Sequence, residues 1–246
     1  MNKKIAIIYL QYDTDKYSES LAYVFGQLNK LTYQKQYFIV NNKVEFGEVK
    51  KFDNVFVLPG DNSNWEFSGW QKGLDYVKEN IDCDLVLFLN DSLAAYTSHK
   101  ILELGKLEKI LDHSFLNSIF CGRLDIARHE MSFMNHNVRS WIRTNCFAAP
   151  RPLLEDFSID SSSLFDIEDI AKDLNCFMKS HKLSKGLKDH IYNWLTYQWH
   201  SRFDIKSNIE LFKNKTKAIL NEKLLTVKIR QNKISILNTL DGVVYK

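Results

Sequence analysis

A strand–loop–helix–strand unit between residues 54 and 92 constrains the fold more than any other part of this sequence. Asn54–Leu58 predicts one strand, and the apolar run Leu85–Leu89 predicts a second strand that is buried on both faces. Between them a polar loop, Asp61–Gly69, leads into a helix with apolar residues at intervals of three and four. Polar residues follow both strands. In open α/β sheets ligands bind where the carboxyl ends of strands meet their loops, so both polar segments are expected to face one ligand.

The first half of the sequence continues this alternation. Ile5–Leu10 is a continuous apolar run that predicts a first strand, and the helix after it has Ser18 as a candidate N-cap. Tyr37–Val40 predicts the next strand. The resulting order β-α-β-β-α-β-α predicts an α/β fold with a single, mostly parallel sheet and helices on both faces. Gly69 and Gly73 would let their helix approach a neighbouring backbone closely.

The pattern is looser in the second half. Ser118–Cys121 and Thr144–Ala149 predict strands, and helices are expected around residues 167–177 and 187–195. Leu224–Ile229 and Ile234–Leu237 predict a terminal hairpin or small sheet. Since there is no repeat or Pro/Gly-rich linker, we expect a main domain over residues 1–205 and a small basic C-terminal extension, 206–246, packed on it.

Charge and composition exclude several classes of protein. A net charge of +3 over 246 residues gives no support for nucleic-acid binding. The lysines of the C-terminal third are either a solvated surface or a face for anionic lipid or a phosphorylated substrate. No apolar run approaches the roughly 20 residues of a membrane span. The cysteines are scattered, which favours buried free thiols in a reducing cytoplasm; they are Cys83, Cys121, Cys146 and Cys176. We expect a cytoplasmic protein, with contact at the inner face of the membrane left open.

The Asn90-Asp91-Ser92 tip is the first candidate for chemistry. A carboxylate at the end of a buried strand can bind a divalent cation that carries a diphosphate, because Mg²⁺ and Mn²⁺ prefer oxygen ligands. The alternative is that the tip only turns the chain and caps a helix that starts near Thr97. Asp82 and Asp84 also form an Asp-x-Asp pair, but they precede the strand and would lie at the wrong end of the sheet.

Two further loops are candidates. The loop Asp61–Gly69 combines six polar side chains with Trp65 and Phe67, and it can hold a sugar or phosphate through backbone N–H groups at a helix N-terminus. A plain surface turn is the alternative. Tyr12 and Asp13 follow the first strand and could stack on and hydrogen-bond a nucleobase, or Asp13 could only cap a turn. The sequence has no metal-binding His spacing, no Gly-x-Ser-x-Gly, and no Gly-rich dinucleotide or P-loop motif.

Two consecutive segments resemble glycosyltransferases of the A-type, Rossmann-like fold. The first is the loop and helix that contain Ser68-Gly-Trp-Gln-Lys-Gly-Leu74, and the second is Asp84-Leu-Val-Leu-Phe-Leu-Asn-Asp-Ser92. The resemblance is closest to the branch around rhamnan synthesis protein F, in which an Asn-Asp-Ser/Thr tip replaces Asp-x-Asp. Thr144–Leu154 is similar to a later strand of that group, which ends in an Arg-bearing turn. The whole resemblance covers roughly residues 1–200, but its specific part is about 35 residues.

The resemblance implies a donor-binding set and a base. The donor-binding residues would be Tyr12, Asp13, Asp61, Asn62, Glu66, Ser68, Asn90, Asp91 and Ser92, with Asp91 as the metal or diphosphate residue. Mg²⁺ or Mn²⁺ is a candidate cofactor, but only one acid remains at the tip, so a weakly held metal and metal independence both stay open. Arg or Lys would then neutralise the diphosphate, the arginine candidates being Arg123, Arg128, Arg143 and Arg151. Asp189 is the first choice for the general base, before Asp125 and then Glu168 or Asp169.

The implied function is a nucleotide-sugar-dependent hexosyl- or deoxyhexosyltransferase that acts in bacterial surface polysaccharide assembly. Inversion is favoured and retention stays open. The partners would be a nucleotide-sugar donor and a glycan or lipid-linked glycan acceptor, without nucleic acid; peripheral membrane contact and a homo-oligomer stay open. The alternatives are a catalytically inactive A-type domain that binds glycan or serves as a scaffold, and a nucleotidyltransferase, which is disfavoured because no Gly-rich phosphate loop follows the first strand.

Overall fold

The computed structural model describes residues 3–43, 47–95, 104–162, 166–199 and 202–245. The strands are β1 Lys4–Gln11, β2 Gln34–Asn41, β3 Lys50–Phe52, β4 Val55–Pro59, β5 Leu85–Asn90, β6 Phe120–Ile126, β7 Ser132–Phe133, β8 His136–Asn137, β9 Ser140–Pro150, β10 Ile236–Asn238 and β11 Val244–Tyr245. The helices are α1 Ser20–Leu28, α2 Glu66–Asn80, α3 Leu104–Asn117, α4 Ile167–Ala171, α5 Leu174–Lys179, α6 Lys185–Asn193 and α7 Ile209–Gln231. None of the described helices is both long and apolar enough to cross a membrane.

One sheet forms the centre of the molecule, in the strand order β11-β10-β6-β9-β5-β1-β2-β4-β3. The middle of the sheet is parallel: β1 pairs with β2 and β5, and β2 pairs with β4. β9 runs antiparallel between β5 and β6, so the complete sheet is mixed. The α/β class predicted from the sequence is confirmed. As a result, the carboxyl ends of β1, β2, β4, β5 and β6 lie at one edge of the sheet, together with the start of β9.

Helices cover both faces of the sheet, and β1 alternates between them. Ala6 and Ile8 belong to the apolar cluster that includes α2 and the end of α7, whereas Ile5 and Ile7 belong to the cluster that includes α1 and α3. A Cβ atom at Gly73 of α2 would lie 2.6 Å from the Cγ2 atom of Ile8. Gly73 therefore lets α2 pack closely on side chains of the sheet, not on a neighbouring backbone as predicted.

A third apolar cluster joins β7, the start of β9 and helices α4 to α7. The predicted strand at Leu224–Ile229 is wrong, because these residues belong to α7. Nearly all their side chains are buried, and a short, fully buried helical segment has the same apolar pattern as a strand. The second predicted strand is present as β10, which pairs parallel with β6 and antiparallel with β11. Residues 206–246 thus contribute both to the sheet and to all three apolar clusters.

Several boundaries differ from the prediction. The strand predicted at residues 118–121 is longer and extends to Ile126, and the strand predicted from Thr144 begins at Ser140. The helix expected over residues 167–177 is divided into α4 and α5, because the side chain of Asp173 caps a new helix. Ser18 does not cap α1, whose N-cap is Glu19 without a side-chain hydrogen bond. The helix start expected near Thr97 lies outside the described residues.

Candidate active site

The strand order places a crevice between β1 and β5. The chain leaves β1 through α1 to β2 on one side, and it leaves β5 towards α3 and β6 on the other side. Loops that diverge in this way leave a gap at the carboxyl ends of the strands, where ligands bind in open α/β sheets. Two cavities lie at this edge. We call them the switch-point cavity, of about 280 Å³, and the tryptophan cavity, of about 610 Å³.

The two cavities adjoin each other. Their linings share four residues, which we call the junction: Glu66, Asn90, Trp199 and Lys215. The switch-point cavity is otherwise lined mainly by the loops after β1, β4 and β5. The tryptophan cavity is otherwise lined by β6, β9, α6 with the π-helical turn Trp194–Gln198 that follows it, and α7. A ligand that occupies both cavities must therefore pass the junction.

Asp91 ties the loops after β1 and β5 together. Its side chain is buried, and its Oδ2 atom accepts hydrogen bonds from the backbone N–H groups of Tyr12 at 2.7 Å and Asp13 at 2.8 Å. Burial raises the pKa of the Asp91 carboxyl, and the hydrogen bonds from Asp13 and Tyr12 oppose that rise. The carboxylate lines the switch-point cavity, but one of its oxygens is already used to hold this turn.

Asn42, which the sequence analysis missed, holds the loop after β4. Its Nδ2 atom donates to the Oδ1 atom of Asn62 at 2.9 Å and to the carbonyl of Trp65 at 2.8 Å. Asn62 and Trp65 have φ values of 51° and 58°, so the loop adopts left-handed conformations that these hydrogen bonds stabilise. The Trp65 ring stacks on Tyr12, with the ring centres 5.6 Å apart. The result is an aromatic wall at the switch-point cavity. The only advance signal for Asn42 is that it directly follows strand β2.

Most of the predicted donor-binding residues line the switch-point cavity: Tyr12, Asp13, Asn62, Glu66, Asn90, Asp91 and Ser92. Asp61 and Ser68 do not. The Oδ1 atom of Asp61 accepts from the backbone N–H and hydroxyl of Ser63, each at 2.9 Å. Ser68 is buried and accepts a hydrogen bond from the backbone N–H of Asn64 at 3.2 Å. We correct these two assignments, because both side chains shape their own loop.

The residues at the tip do not fit a divalent cation. Within the described ranges, no group of three or more His, Cys, Asp or Glu side chains is placed to hold a metal ion. Asp91 uses an oxygen on two backbone N–H groups, and the Ser92 hydroxyl donates to the Oδ1 atom of Asn90 at 3.0 Å. Mg²⁺ usually keeps several waters and is bound by one or two carboxylates plus substrate phosphates, and this tip offers a single carboxylate with one oxygen already used. We therefore derive no step through a metal.

Lys215 of α7 places a cation at the junction. Its Nζ atom lies 3.9 Å from the ring centre of Trp65 and 4.8 Å from that of Trp199. Burial lowers the pKa of Lys215, and the carboxylates of Glu66 and Glu222 oppose that effect. The sequence marks the lysines of this segment only as a group, and no local pattern distinguishes Lys215 from the others.

The carboxylates of the tryptophan cavity differ in how they are held. Asp125 accepts from the Nε atom of Arg143 at 2.6 Å and lies 3.5 Å from the Nε atom of Arg123. Glu222 accepts from the backbone N–H and hydroxyl of Thr144, at 3.2 and 3.1 Å. No other described residue hydrogen-bonds or ion-pairs with the carboxylate of Glu66. Burial raises the pKa of Glu66 despite the nearby Lys215.

The predicted bases other than Asp125 lie away from both cavities. Asp189 is exposed on α6 and lines neither cavity, whereas its neighbour His190 faces the tryptophan cavity. Burial lowers the pKa of His190 to about 4. Glu168 and Asp169 are exposed on α4, and Glu168 pairs with Lys217 at 2.7 Å. The assignment of Asp189 as the base is therefore wrong, because the helix turns its carboxylate to the solvent.

The predicted arginines are dispersed. Arg143 lines the tryptophan cavity, and Arg123 lies beside Asp125 without lining either cavity. Arg128 is exposed and also lines neither cavity. Arg151 lies at the opposite edge of the sheet: its backbone N–H donates to Asp84, and its Nη2 atom donates to the carbonyl of Lys78 at 3.1 Å. The assignment of Arg151 to phosphate binding is wrong, because β9 runs antiparallel to β5 and carries its far end away from the site.

Three tryptophans shape the larger cavity. Trp194 begins the π-helical turn and Trp199 directly follows it, and their rings stack with centres 5.6 Å apart. Trp141, at the start of β9, lies over the Nζ atom of Lys223, which is 2.8 Å from the ring centre. Burial lowers the pKa of Lys223. Such π-helical turns are frequent at functional sites. The sequence around Trp141 and Trp194 shows no periodic signal that would identify it as part of a site.

No known family model matches this chain, and no curated protein matches it either. Solved structures give distant matches. A Pyrobaculum calidifontis mannosyltransferase with GDP-Man and Mn²⁺ is 9% identical, with 63% of this chain and 46% of that chain covered and a TM-score of 0.36. Mannosyl-3-phosphoglycerate synthase from Rubrobacter xylanophilus is 12% identical, with 62% and 55% covered and a TM-score of 0.36. S. aureus TarS 1-349 with UDP-GlcNAc is 11% identical, with 98% and 95% covered and a TM-score of 0.38.

This chain thus spans about half the length of the first two of these proteins. At these identities and TM-scores the likenesses carry no argument about the site or its function. Membership in the branch around rhamnan synthesis protein F stays a prediction.

Proposed function

We propose that this protein is a glycosyltransferase of the A-type fold that transfers a hexosyl or deoxyhexosyl group from a nucleotide sugar to a glycan acceptor. One observation carries the proposal: two cavities of different chemistry meet at a junction that holds both a carboxylate and a cation. The switch-point cavity suits a nucleotide and the tryptophan cavity suits a sugar. Group transfer between two substrates requires such an arrangement, because it holds the reacting groups together.

The donor would lie in the switch-point cavity with its sugar directed to the junction. Its base would pack on the aromatic wall of Tyr12 and Trp65, next to the amide of Asn62 and the carboxylate of Asp13. Aromatic faces with a few placed polar groups are typical of small-molecule sites. Asn90 and Ser92 are close enough to the junction to hydrogen-bond the ribose or the sugar.

The acceptor would occupy the tryptophan cavity. Trp194 and Trp199 offer flat apolar faces for the C–H side of a sugar ring, and Arg143 and Asn145 offer polar atoms for hydrogen bonds. A glycan acceptor combines an apolar face with many hydroxyl groups, and this lining provides for both. The resemblance of the sequence supports acceptors of bacterial surface polysaccharide assembly, which include lipid-linked glycans.

Glu66 is the proposed general base. The acceptor hydroxyl oxygen attacks the anomeric carbon, its proton passes to the Glu66 carboxylate, and the bond from that carbon to the diphosphate oxygen breaks. The electron pair remains on the departing nucleoside diphosphate. Burial raises the pKa of Glu66, which makes its carboxylate a stronger base. Asp125 and Glu222 are less suited, because arginine and threonine donors hold their oxygens. One displacement with a base inverts the anomeric centre.

Thermal unfolding with a panel of nucleotide sugars tests the proposal. At about 100 times its Kd, a donor should raise the melting temperature by roughly 5 °C or more. The free sugar and the corresponding sugar 1-phosphate are the controls, and they should give little stabilisation. A panel that includes uridine, guanosine, thymidine and cytidine diphosphate sugars and gives no shift would contradict the proposal.

A catalytically inactive glycan-binding domain is the second candidate. The single carboxylate at the Asn90–Ser92 tip favours it. Hydrolysis of the donor separates the transferase from the inactive domain. A transferase should slowly hydrolyse its bound donor to nucleoside diphosphate when no acceptor is present. Stabilisation by glycans alone, without donor binding or hydrolysis, would support the second candidate.

A further inference from the structure

We propose that the ammonium group of Lys215, in place of a metal ion, neutralises the diphosphate of the donor at the junction. The inference rests on the proposed function, because it concerns the leaving group of that reaction. It gives a catalytic role to one lysine of α7, whereas the sequence indicates the lysines of this segment only as a group.

The position of the leaving group follows from the two cavities. In a nucleotide sugar the diphosphate separates the nucleoside from the transferred sugar. If the nucleoside lies in the switch-point cavity and the acceptor in the tryptophan cavity, the diphosphate must lie near the junction. Of the four junction residues, Lys215 alone carries a positive charge.

Aromatic rings flank the ammonium group of Lys215. Trp65 and Trp199 flank the Nζ atom at 3.9 and 4.8 Å from their ring centres, and the aromatic faces attract the cation without neutralising it. Within the described part of the chain, no carboxylate lies within ion-pair distance of this atom, although Glu66 and Glu222 are near enough to act on its pKa. A preorganised cation of this kind can stabilise charge that develops on a departing group.

A second cation makes the same region suited to an anion. Lys16, on the loop after β1, lines the switch-point cavity from the exposed side and contributes to the lowered pKa of Lys215. Two ammonium groups that face one cavity repel each other, and an anion between them removes that repulsion. Asp91, by contrast, is held by Tyr12 and Asp13 and is poorly placed to recruit a metal.

The step balances without a metal. The acceptor oxygen forms the new bond to the anomeric carbon, and the old bond from this carbon to the diphosphate oxygen breaks. The electron pair stays on that oxygen as the nucleoside diphosphate leaves, and the acceptor proton passes to Glu66. Lys215 gives up no proton in this step, and its positive charge stabilises the oxygen that receives the electron pair.

Calorimetric binding of the nucleoside, its monophosphate and its diphosphate tests the role of Lys215. The probe is whichever of UDP, GDP, dTDP and CDP binds wild type most tightly, measured with EDTA and with Mn²⁺. We expect the wild-type protein to prefer the diphosphate over the nucleoside by about tenfold or more, with EDTA causing no loss. The Lys215→Met variant should reduce this preference to about twofold or less, whereas Lys215→Arg should keep most of it.

Two controls separate this role from a structural one. Lys213→Met changes a lysine of α7 that lines neither cavity, and it should leave the preference unchanged. Nucleoside affinity and the melting temperature of Lys215→Met should stay near the wild-type values, because the methionine side chain can still pack between the tryptophans. A wild-type preference that EDTA abolishes, or one that survives in Lys215→Met, would overturn the inference while leaving the proposed function intact. If none of the four nucleotides binds wild type, the proposed function fails instead.

Discussion

The switch-point cavity and the tryptophan cavity meet at one junction but are built in different ways. Loops that Asp91 and Asn42 hold through hydrogen bonds to backbone groups form most of the first. Large side chains from β6, β9, α6 and α7 form the second, and its charged groups are held in pairs such as Asp125 with Arg143. A backbone-braced cavity favours one fixed ligand, whereas a cavity of stacked rings tolerates variation. This difference suits a constant nucleotide on one side and an acceptor glycan on the other.

The largest effect is expected at the junction itself. Glu66→Gln should lower the rate of transfer by about a hundredfold or more, because a general base typically contributes 10²–10⁴ in rate. Nucleotide binding should change little. In wild type the rate should fall as pH drops through the pKa of Glu66, because only the carboxylate accepts a proton. Since burial raises this pKa, the fall should begin above the ordinary range for glutamate. Initial rates across pH and nucleotide titrations measure both effects.

Glu79→Gln is the matched control, because Glu79 is exposed on the same helix and lines neither cavity. It should keep the wild-type rate and pH profile. If Glu66→Gln transfers sugar at the wild-type rate, the base lies elsewhere, with Asp125 and Glu222 as the next carboxylates to replace.

Because Asp91 holds the loops of the switch-point cavity together, its replacement should make the folded protein less stable. Asp91→Ala removes the acceptor for the N–H groups of Tyr12 and Asp13, and it should lower the free energy of unfolding by about 1–3 kcal/mol. Urea unfolding in EDTA measures this loss without any metal. Asp15→Asn, at an exposed position of the same loop, should be near neutral. An Asp91→Ala variant as stable as wild type in EDTA would argue against the bracing role.

The two cavities also differ in how far they could be predicted from sequence. Tyr12 and Asp91 directly follow buried strands, so the order of elements alone placed them at one edge of the sheet. Asp61 was misplaced there, because strand order locates a loop but not the direction of each side chain, and this carboxylate turns back to Ser63. The general fold was predictable for the same reason, since its parallel centre depends on local apolar runs.

The tryptophan cavity had no comparable local signal. Lys215 and Glu222 reach it because α7 packs across β9, where Glu222 contacts Thr144, a residue 78 positions away in the sequence. The sequence of α7 is apolar on several sides, so it resembled a strand over Leu224–Ile229. Asp189 and His190 show the same limit of sequence-based prediction. They are neighbours in sequence, but only His190 faces the cavity.

A tryptophan of the larger cavity should affect the acceptor alone. Trp194 lines the tryptophan cavity but not the switch-point cavity. Trp194→Ala should raise the acceptor KM by about tenfold through lost stacking, with little change in nucleotide Kd. Tyr197→Ala is the control, since Tyr197 lies in the same π-helical turn but is 69% exposed. Equal losses of acceptor and nucleotide affinity in Trp194→Ala would mean that the two cavities do not act as separate subsites.

The smallest expected effect is the pH dependence that His190 gives to the tryptophan cavity. Burial, and then the charge of Lys223, lower the pKa of this imidazole to about 4 in the folded protein. In the unfolded chain the pKa is about 6.5, so between these values the unfolded state binds more protons and stability falls with falling pH. Because His190 is partly exposed, we expect it to account for only about 1 kcal/mol of the loss between pH 7 and pH 5. His190→Gln cannot take up this proton and should lose correspondingly less stability over that range in urea titrations.

His113→Gln is the control. It changes a histidine of α3, outside both cavities, and should retain the wild-type dependence of stability on pH. Parallel slopes for wild type and His190→Gln would show that the imidazole is not kept neutral, and the buried positive charge of Lys223 would then have to be balanced differently within the cavity.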